Sequence, residues 1–340
     1  MSLQLFTDGA VIATNDAFYS EVFKMKRFTA IILALCIMLA TLCSCEKGKG
    51  DESGKISVVA TIFPQYDFAR QIGGQYADVT MLAYPGNEVH DFDATLSDMA
   101  KVENCDLFIY LSEQSEQWVG NIFSAMGPNS IKKLSLLEAV NTVEEELVSG
   151  MEHEHEEEHE HTDGAEIDQH VWTSVRNCMV FANRICDAFC ELDPKHSQYY
   201  KDNAAVLLED LVELDVAFEE TVLQGSRKTI VFAERFPFRY LAKDYALEYY
   251  AAFSGCSSNT EPSLSTISFL TDKVKNEKIP VVFYTEFSTQ TVADTICNAT
   301  GAKKLLFHSC HNVTAQDFEN GVTYVELMRQ NVENLREALN

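Results

Sequence analysis

From Lys55 onward the chain alternates short apolar runs with amphipathic stretches, and that rhythm admits few folds. Residues 57–61 read as a strand, 66–71 as a helix and 79–83 as a second strand; a helix over 96–102 and a strand over 107–110 repeat the unit. Strands separated by helix-length segments pair in parallel, because each crossover must return the chain to the same end of the sheet. The apolar stripe Leu207, Leu211, Leu214, Phe218 and Val222 then keeps steps of three and four. Asp193-Pro194 supplies an N-cap and a first-turn proline, and Gly225 a stop. A helix over 194–223 would be about 45 Å long, enough to brace two bodies.

Beyond it the alternation resumes, with strands expected at 229–232, 281–284 and 305–307 and helices at 238–244, 263–276, 289–300 and 324–339. The expected class is α/β: two lobes, each a parallel sheet flanked by helices, joined by a long rigid backbone helix. The boundaries fall at 56–192 for the N-terminal lobe, 193–225 for the connecting helix and 226–340 for the C-terminal lobe. Ligand sites in such lobes form in loops at the carboxyl ends of the strands.

The amino terminus addresses the chain to a membrane surface. Lys26-Arg27 precede an apolar run over 28–42, which ends in Leu42-Cys43-Ser44-Cys45 and turns abruptly polar. The run is shorter than the roughly 20 apolar residues of a spanning helix, and the small-residue processing site at its end marks a bacterial lipoprotein signal. Residues 25–44 are read as that signal, 45–55 as a linker, and 1–24 as an upstream extension, with Met25 the expected start. Cys45 would carry the lipid and hold an extracytoplasmic domain at the bacterial membrane. Of the ten cysteines, seven then remain in the mature domain, an odd number that leaves at least one free thiol. Cys186 and Cys190, four apart on a helical pattern, read as small buried residues. A disulfide between Cys256 and Cys310 is one pairing that the loops allow.

A net charge of -26 repels phosphate backbones and argues against a nucleic-acid partner. Cations are the natural ligands, and the imidazoles say which kind. His153, His155, His159 and His161 stand among carboxylates within 151–161, inside a stretch, 142–168, with too few sizeable apolar residues to offset the entropy of ordering it. That stretch is read as a mobile His-rich loop that captures metal weakly. Four further places put a donor at a strand end or in a loop: His90, His170, Glu234, and the pair His308 and His311. Tetrahedral zinc takes about four nitrogen, sulfur or oxygen ligands. A zinc hydrolase would need an open coordination position with a placed general base, and no His-Glu-x-x-His, Gly-x-Ser-x-Gly or Walker-type loop occurs.

Pro85-Gly86 followed by His90-Asp91, and Asp168-Gln169-His170-Val171-Trp172, carry a family resemblance. From about Ser57 to its end the chain resembles the solute-binding proteins of zinc and manganese ABC transporters, whose Asp-Pro-His-x-Trp reappears here with glutamine for proline. The resemblance implies metal held in a cleft between the lobes, His90 and His170 as ligands, and an ABC permease with its ATPase as partners. The histidine that the family places before an aromatic-rich helix is absent from 231–240, where Glu234 is the nearest substitute, one residue too far from Tyr240. The final ligand, usually an aspartate after the strand that follows Gly-Ala-Lys (here 301–303), falls on His308 by the shorter zinc-type strand and on His311 by the longer manganese-type strand; counting does not separate them. Three imidazoles and one carboxylate favour Zn2+, with Mn2+ the alternative. A surface adhesin on the same fold is a further reading, since fold alone does not settle function.

Overall fold

The computed structural model describes residues 54–87, 89, 92–126, 131–151, 167–255, 257 and 261–340. His90, His153, His155, His159, His161, Cys45 and Cys256 lie outside the described residues, as do the signal and the expected start at Met25.

The first sheet has the order β2-β1-β3-β4 with every pair parallel: β1 is Ile56–Ala60, β2 Ala77–Met81, β3 Leu107–Tyr110 and β4 Lys132–Ser135. Val58 and Ala60 face one apolar core and Val59 the other, so β1 is covered on both faces as a central parallel strand must be. Helix α1, Phe63–Gly73, follows β1 directly; the Gln65 side chain accepts the N–H groups of Thr61 and Ile62 and so ties off the turn that starts it. Helices α2, Leu96–Asn104, and α3, Gln117–Ala125, complete the crossovers. Neither α3 nor β4 was expected, because each is a short element without a clean period.

Helix α4, Val175–Leu192, starts at Ser174, whose hydroxyl accepts the Asn177 N–H. A 3-10 turn over Pro194–His196 then leads into α5, Ser197–Gln224, the expected long helix begun three residues late. Its predicted stripe is the buried one, Leu207, Leu211, Leu214, Phe218 and Val222. α5 packs on α1 and α4 at one side and on α10, Tyr324–Leu339, at the other. One continuous apolar core therefore runs from the first sheet through these helices to the second lobe.

The second lobe is built from shorter pieces: β5 Thr229–Val231 with β7 Glu248–Tyr250, β6 Arg235–Phe236 with β8 Phe253–Ser254, and β9 Val281–Tyr284 with β10 Lys303–Leu306, each pair parallel. A bridge between Phe232 and Phe283 links the first pair to the last. The Ala252 and Phe253 N–H groups both point to the Glu234 carbonyl, a two-against-one arrangement that breaks the strand between β5 and β6. Helices α6, Arg239–Asp244, α7, Leu264–Glu277, α8, Thr291–Thr300, and α9, Ala315–Glu319, surround these strands. Phe232, Phe236, Phe238, Phe283 and Phe307 pack together at their centre in edge-to-face and tilted pairs.

The described flanks of the stretch 142–168, expected to be part of a mobile loop, are anchored to the fold. Met151 is buried, and Val143 and Val148 pack against the main core. Glu144 bridges Ile167, Asp168 N–H donates to the Val143 carbonyl, and Glu146 pairs with Arg239 at 2.9 Å. The few apolar residues in these flanks are spent on the C-terminal lobe, which composition averaged over the whole stretch conceals. Cys310 is a free, buried thiol, as are Cys178 and Cys186.

Candidate metal site

Strand ends of both lobes meet at a pocket lined by Asn87, Val89, His170, Arg235, Glu286 and His311, among others. His170 enters it from the chain that returns at Ile167, just ahead of a 3-10 turn over Val171–Thr173. The side chain is buried, and its Nδ1 lies 3.1 Å from Asp168 Oδ1, which also accepts the His170 backbone N–H at 2.8 Å. A carboxylate against Nδ1 favours the proton on that nitrogen, the tautomer in which Nε2 is the ring's lone-pair donor. Asp168 is itself held from the other lobe: Tyr240 donates its hydroxyl hydrogen to the Asp168 carbonyl at 2.6 Å. Gly255 permits this approach, since a Cβ there would lie 3.0 Å from both the His170 ring and the Phe236 carbonyl.

The loop after β10 separates the two candidate histidines. His308 is buried, its backbone is gripped by the Asn331 amide on α10, and its Nδ1 accepts the Cys310 N–H at 2.9 Å. With Nδ1 an acceptor, the neutral ring carries its proton on Nε2, so neither nitrogen offers a spare lone pair. Cys310 then takes a left-handed conformation, φ 60°, and turns the chain. His311 emerges on the cleft side with its ring 4.6 Å from Trp172 and 6.0 Å from His170, centroid to centroid. Its carbonyl accepts the Phe63 N–H at 3.3 Å, the Trp172 indole donates to the Ser309 carbonyl at 2.8 Å, and the Asn312 amide donates to the Tyr84 and Asn87 carbonyls, which fastens this loop to the first lobe.

Glu234 does not line the pocket. Its carboxyl meets the Ser288 hydroxyl and the Gln290 N–H, and burial raises its pKa above the ordinary carboxylate value. Neighbours in extended chain point to opposite sides, and it is Arg235, followed by Pro237, that lines the cleft. Glu286 was missed, although it stands just beyond the end of β9, where a strand-end site draws its residues; both its oxygens are engaged, one by the Ser309 N–H at 2.7 Å and the other by the Ser309 hydroxyl. Arg235 likewise was not among the expected site residues.

The structure thus brings together His170 and His311 and leaves His308 and Glu234 outside. Two imidazoles on one tetrahedral zinc have ring centroids about 5 Å apart. The observed 6.0 Å is slightly wider, and among the described residues no three His, Cys, Asp or Glu side chains already stand as a metal cluster. Val89, the chain neighbour of His90, also lines the pocket.

The family model of ZnuA, zinc-uptake complex component A, periplasmic, matches residues 58–338. The zinc-binding lipoprotein AdcA of Streptococcus pneumoniae is 30% identical over 318 residues, 92% of this chain and 61% of that protein, so the chain spans about three fifths of that relative. The high-affinity zinc uptake system protein ZnuA of Bacillus subtilis is 30% identical over 313 residues, 91% of this chain and 96% of the relative. Among solved structures, the Zn(II)-bound ZnuA-like domain of pneumococcal AdcA superposes with a TM-score of 0.70 at 28% identity, over 84% of this chain and 99% of that domain. A family match that takes in both lobes and the helix between them identifies the chain as a member of the ZnuA family of zinc-uptake solute-binding components.

Proposed function

We propose that this protein captures one Zn2+ ion outside the cytoplasm and delivers it to an ABC permease powered by a cytoplasmic ATPase. The observation that carries the reading is the convergence of His170 and His311 on one pocket, each on a backbone segment tied to the opposite lobe. His90 is the third proposed ligand, three residues past Asn87 in the chain that lines the same pocket. Neutral imidazoles favour zinc over manganese, which prefers oxygen donors, and the Glu234 carboxyl lies outside the pocket. Binding here means exchange of hydration water for imidazole; no bond of the cargo is made or broken. The lipid on Cys45 would keep the domain near its permease, and His153, His155, His159 and His161 would collect metal close to the cleft.

Zinc titration of the mature protein with and without residues 151–161 tests the reading. One tight site should survive the deletion. Its disappearance would move the site from the cleft to the His-rich segment.

A further inference from the structure

Glu286 lines the cleft pocket yet spends both of its oxygens on one residue. Strands β9 and β10 run in parallel with Tyr284 opposite Leu306, and the Phe307 N–H donates to the Tyr284 carbonyl at 2.8 Å, so the loops that follow leave the sheet side by side. Glu286 in the first loop thereby reaches Ser309 in the second. Its Oε2 accepts the Ser309 N–H at 2.7 Å, and its Oε1 accepts the Ser309 hydroxyl hydrogen. The His308 Nδ1 lies 3.6 Å from the same Oε1, too far for a hydrogen bond, so the grip is on Ser309. The Ser309 hydroxyl oxygen in turn accepts the His311 backbone N–H at 3.1 Å, and the Ser309 carbonyl accepts the Trp172 indole N–H at 2.8 Å. A buried serine thus links a carboxylate to the backbone of His311.

We propose that Glu286 is a positioning residue for zinc capture: acting through the Ser309 hydroxyl, it fixes the backbone of His311 and so keeps that imidazole in the cleft. A hydroxyl carries one hydrogen and rotates to suit its partners. A carboxylate that takes the hydrogen leaves the oxygen lone pairs for the His311 N–H, and bonds to an ionised acceptor are stronger than neutral ones. The turn has need of such a hold. Cys310, between Ser309 and His311, sits at φ 60°, a conformation that a residue with a Cβ keeps only where its surroundings impose it. Glu286→Gln would leave one acceptor oxygen where there were two, so either the N–H or the O–H of Ser309 would lose its partner. The inference rests on the cleft assignment proposed above.

Hydrogen exchange of the metal-free protein reads the loop before any metal binds. Glu286→Gln and Ser309→Ala should each speed exchange in the peptide spanning 307–313, while thermal melts show the fold intact. In competition titrations with a chromophoric chelator each variant should bind zinc about tenfold more weakly. Glu286→Gln should add little in a Ser309→Ala background, because the remaining Ser309 N–H needs only one oxygen. At saturating Co2+ the visible bands of Glu286→Gln should keep their wild-type positions, since the donor atoms are unchanged. Wild-type exchange and zinc affinity in Glu286→Gln or in Ser309→Ala overturns the proposal. So does an equal loss from Glu286→Gln in both backgrounds, or a shift of its Co2+ bands, either of which would make Glu286 a direct ligand. His311→Ala separates the two levels: if it weakens zinc binding while Glu286→Gln does not, only the role of Glu286 falls; if it leaves zinc affinity unchanged, the cleft assignment falls.

Discussion

The two walls of the cleft solve the same problem in different ways. On the first wall a single sequence motif holds a single histidine: Asp168 takes the Nδ1 side of His170, and the turn that follows places Trp172 beneath the pocket. On the second wall only two residues separate two histidines that point to different surroundings. His308 spends its lone pair on the Cys310 N–H, and the left-handed turn at Cys310 sends His311 into the cleft. Strand-end position does not by itself make a ligand. In this loop a backbone hydrogen bond occupies the Nδ1 of His308, whereas the His311 ring lines the pocket.

The sharpest way to break this comparison is to remove the three rings singly. His170→Ala and His311→Ala should each weaken zinc binding by about a hundredfold or more, while His308→Ala should stay within about threefold of the wild type in a competition titration. His308→Ala should instead lower stability by about 1–3 kcal/mol in denaturant melts, the cost of leaving the buried Cys310 N–H without an acceptor. Zinc binding lost with His308 and retained without His311 would invert the assignment.

A smaller effect is expected one layer out. Asp168→Asn keeps the size and the backbone contacts but no longer favours the Nδ1 proton of His170, so zinc affinity should fall by about tenfold. On the opposite wall Glu234→Gln should leave zinc affinity unchanged, because that carboxyl faces Ser288 and Gln290 and not the pocket. A loss in the Glu234 variant equal to that of the Asp168 variant would restore Glu234 as a ligand.

The same contrast explains what was legible in the sequence. Residues whose role follows from period or from a local motif were read correctly: the stripe of α5, strands β3 and β9, and the closing helix α10 keep their expected places. The second wall resisted because its geometry depends on partners remote in sequence. The Glu234 carbonyl accepts two N–H groups, from Ala252 and Phe253, at the break between β5 and β6, a strand pair of which only the first was expected, and Arg235 rather than residue 234 lines the cleft. A count of residues to Tyr240 cannot detect that break. The different placement of His308 and His311 likewise involves a partner remote in sequence, since Asn331 on α10 holds the His308 backbone. Glu286, by contrast, was available from the strand-end rule and was overlooked.

The least of the expected effects lies on the first wall and concerns stability. Glu116 lines the cleft near His170, Trp172 and His311, and one of its oxygens accepts the Leu111 N–H at 2.7 Å. Burial pushes its pKa up from 4.5 to about 7, against the opposing pull of that N–H and the Thr61 hydroxyl. A raised carboxyl pKa means that the folded protein binds the proton more tightly than the unfolded chain. The stabilisation is therefore fully present below pH 4.5 and is lost as pH rises to about 7. Glu116→Gln mimics the protonated side chain, so its stability relative to the wild type should grow across that window and level off above it. Urea melts at several pH values measure the difference, and parallel wild-type and variant curves between pH 4.5 and 7 would show that Glu116 ionises at its ordinary value. Zinc affinity should barely respond, because neither His170 nor His311 bonds to Glu116; a variant that alters metal binding as much as stability would mean that the first wall, too, adjusts its histidine through groups that no local motif reveals.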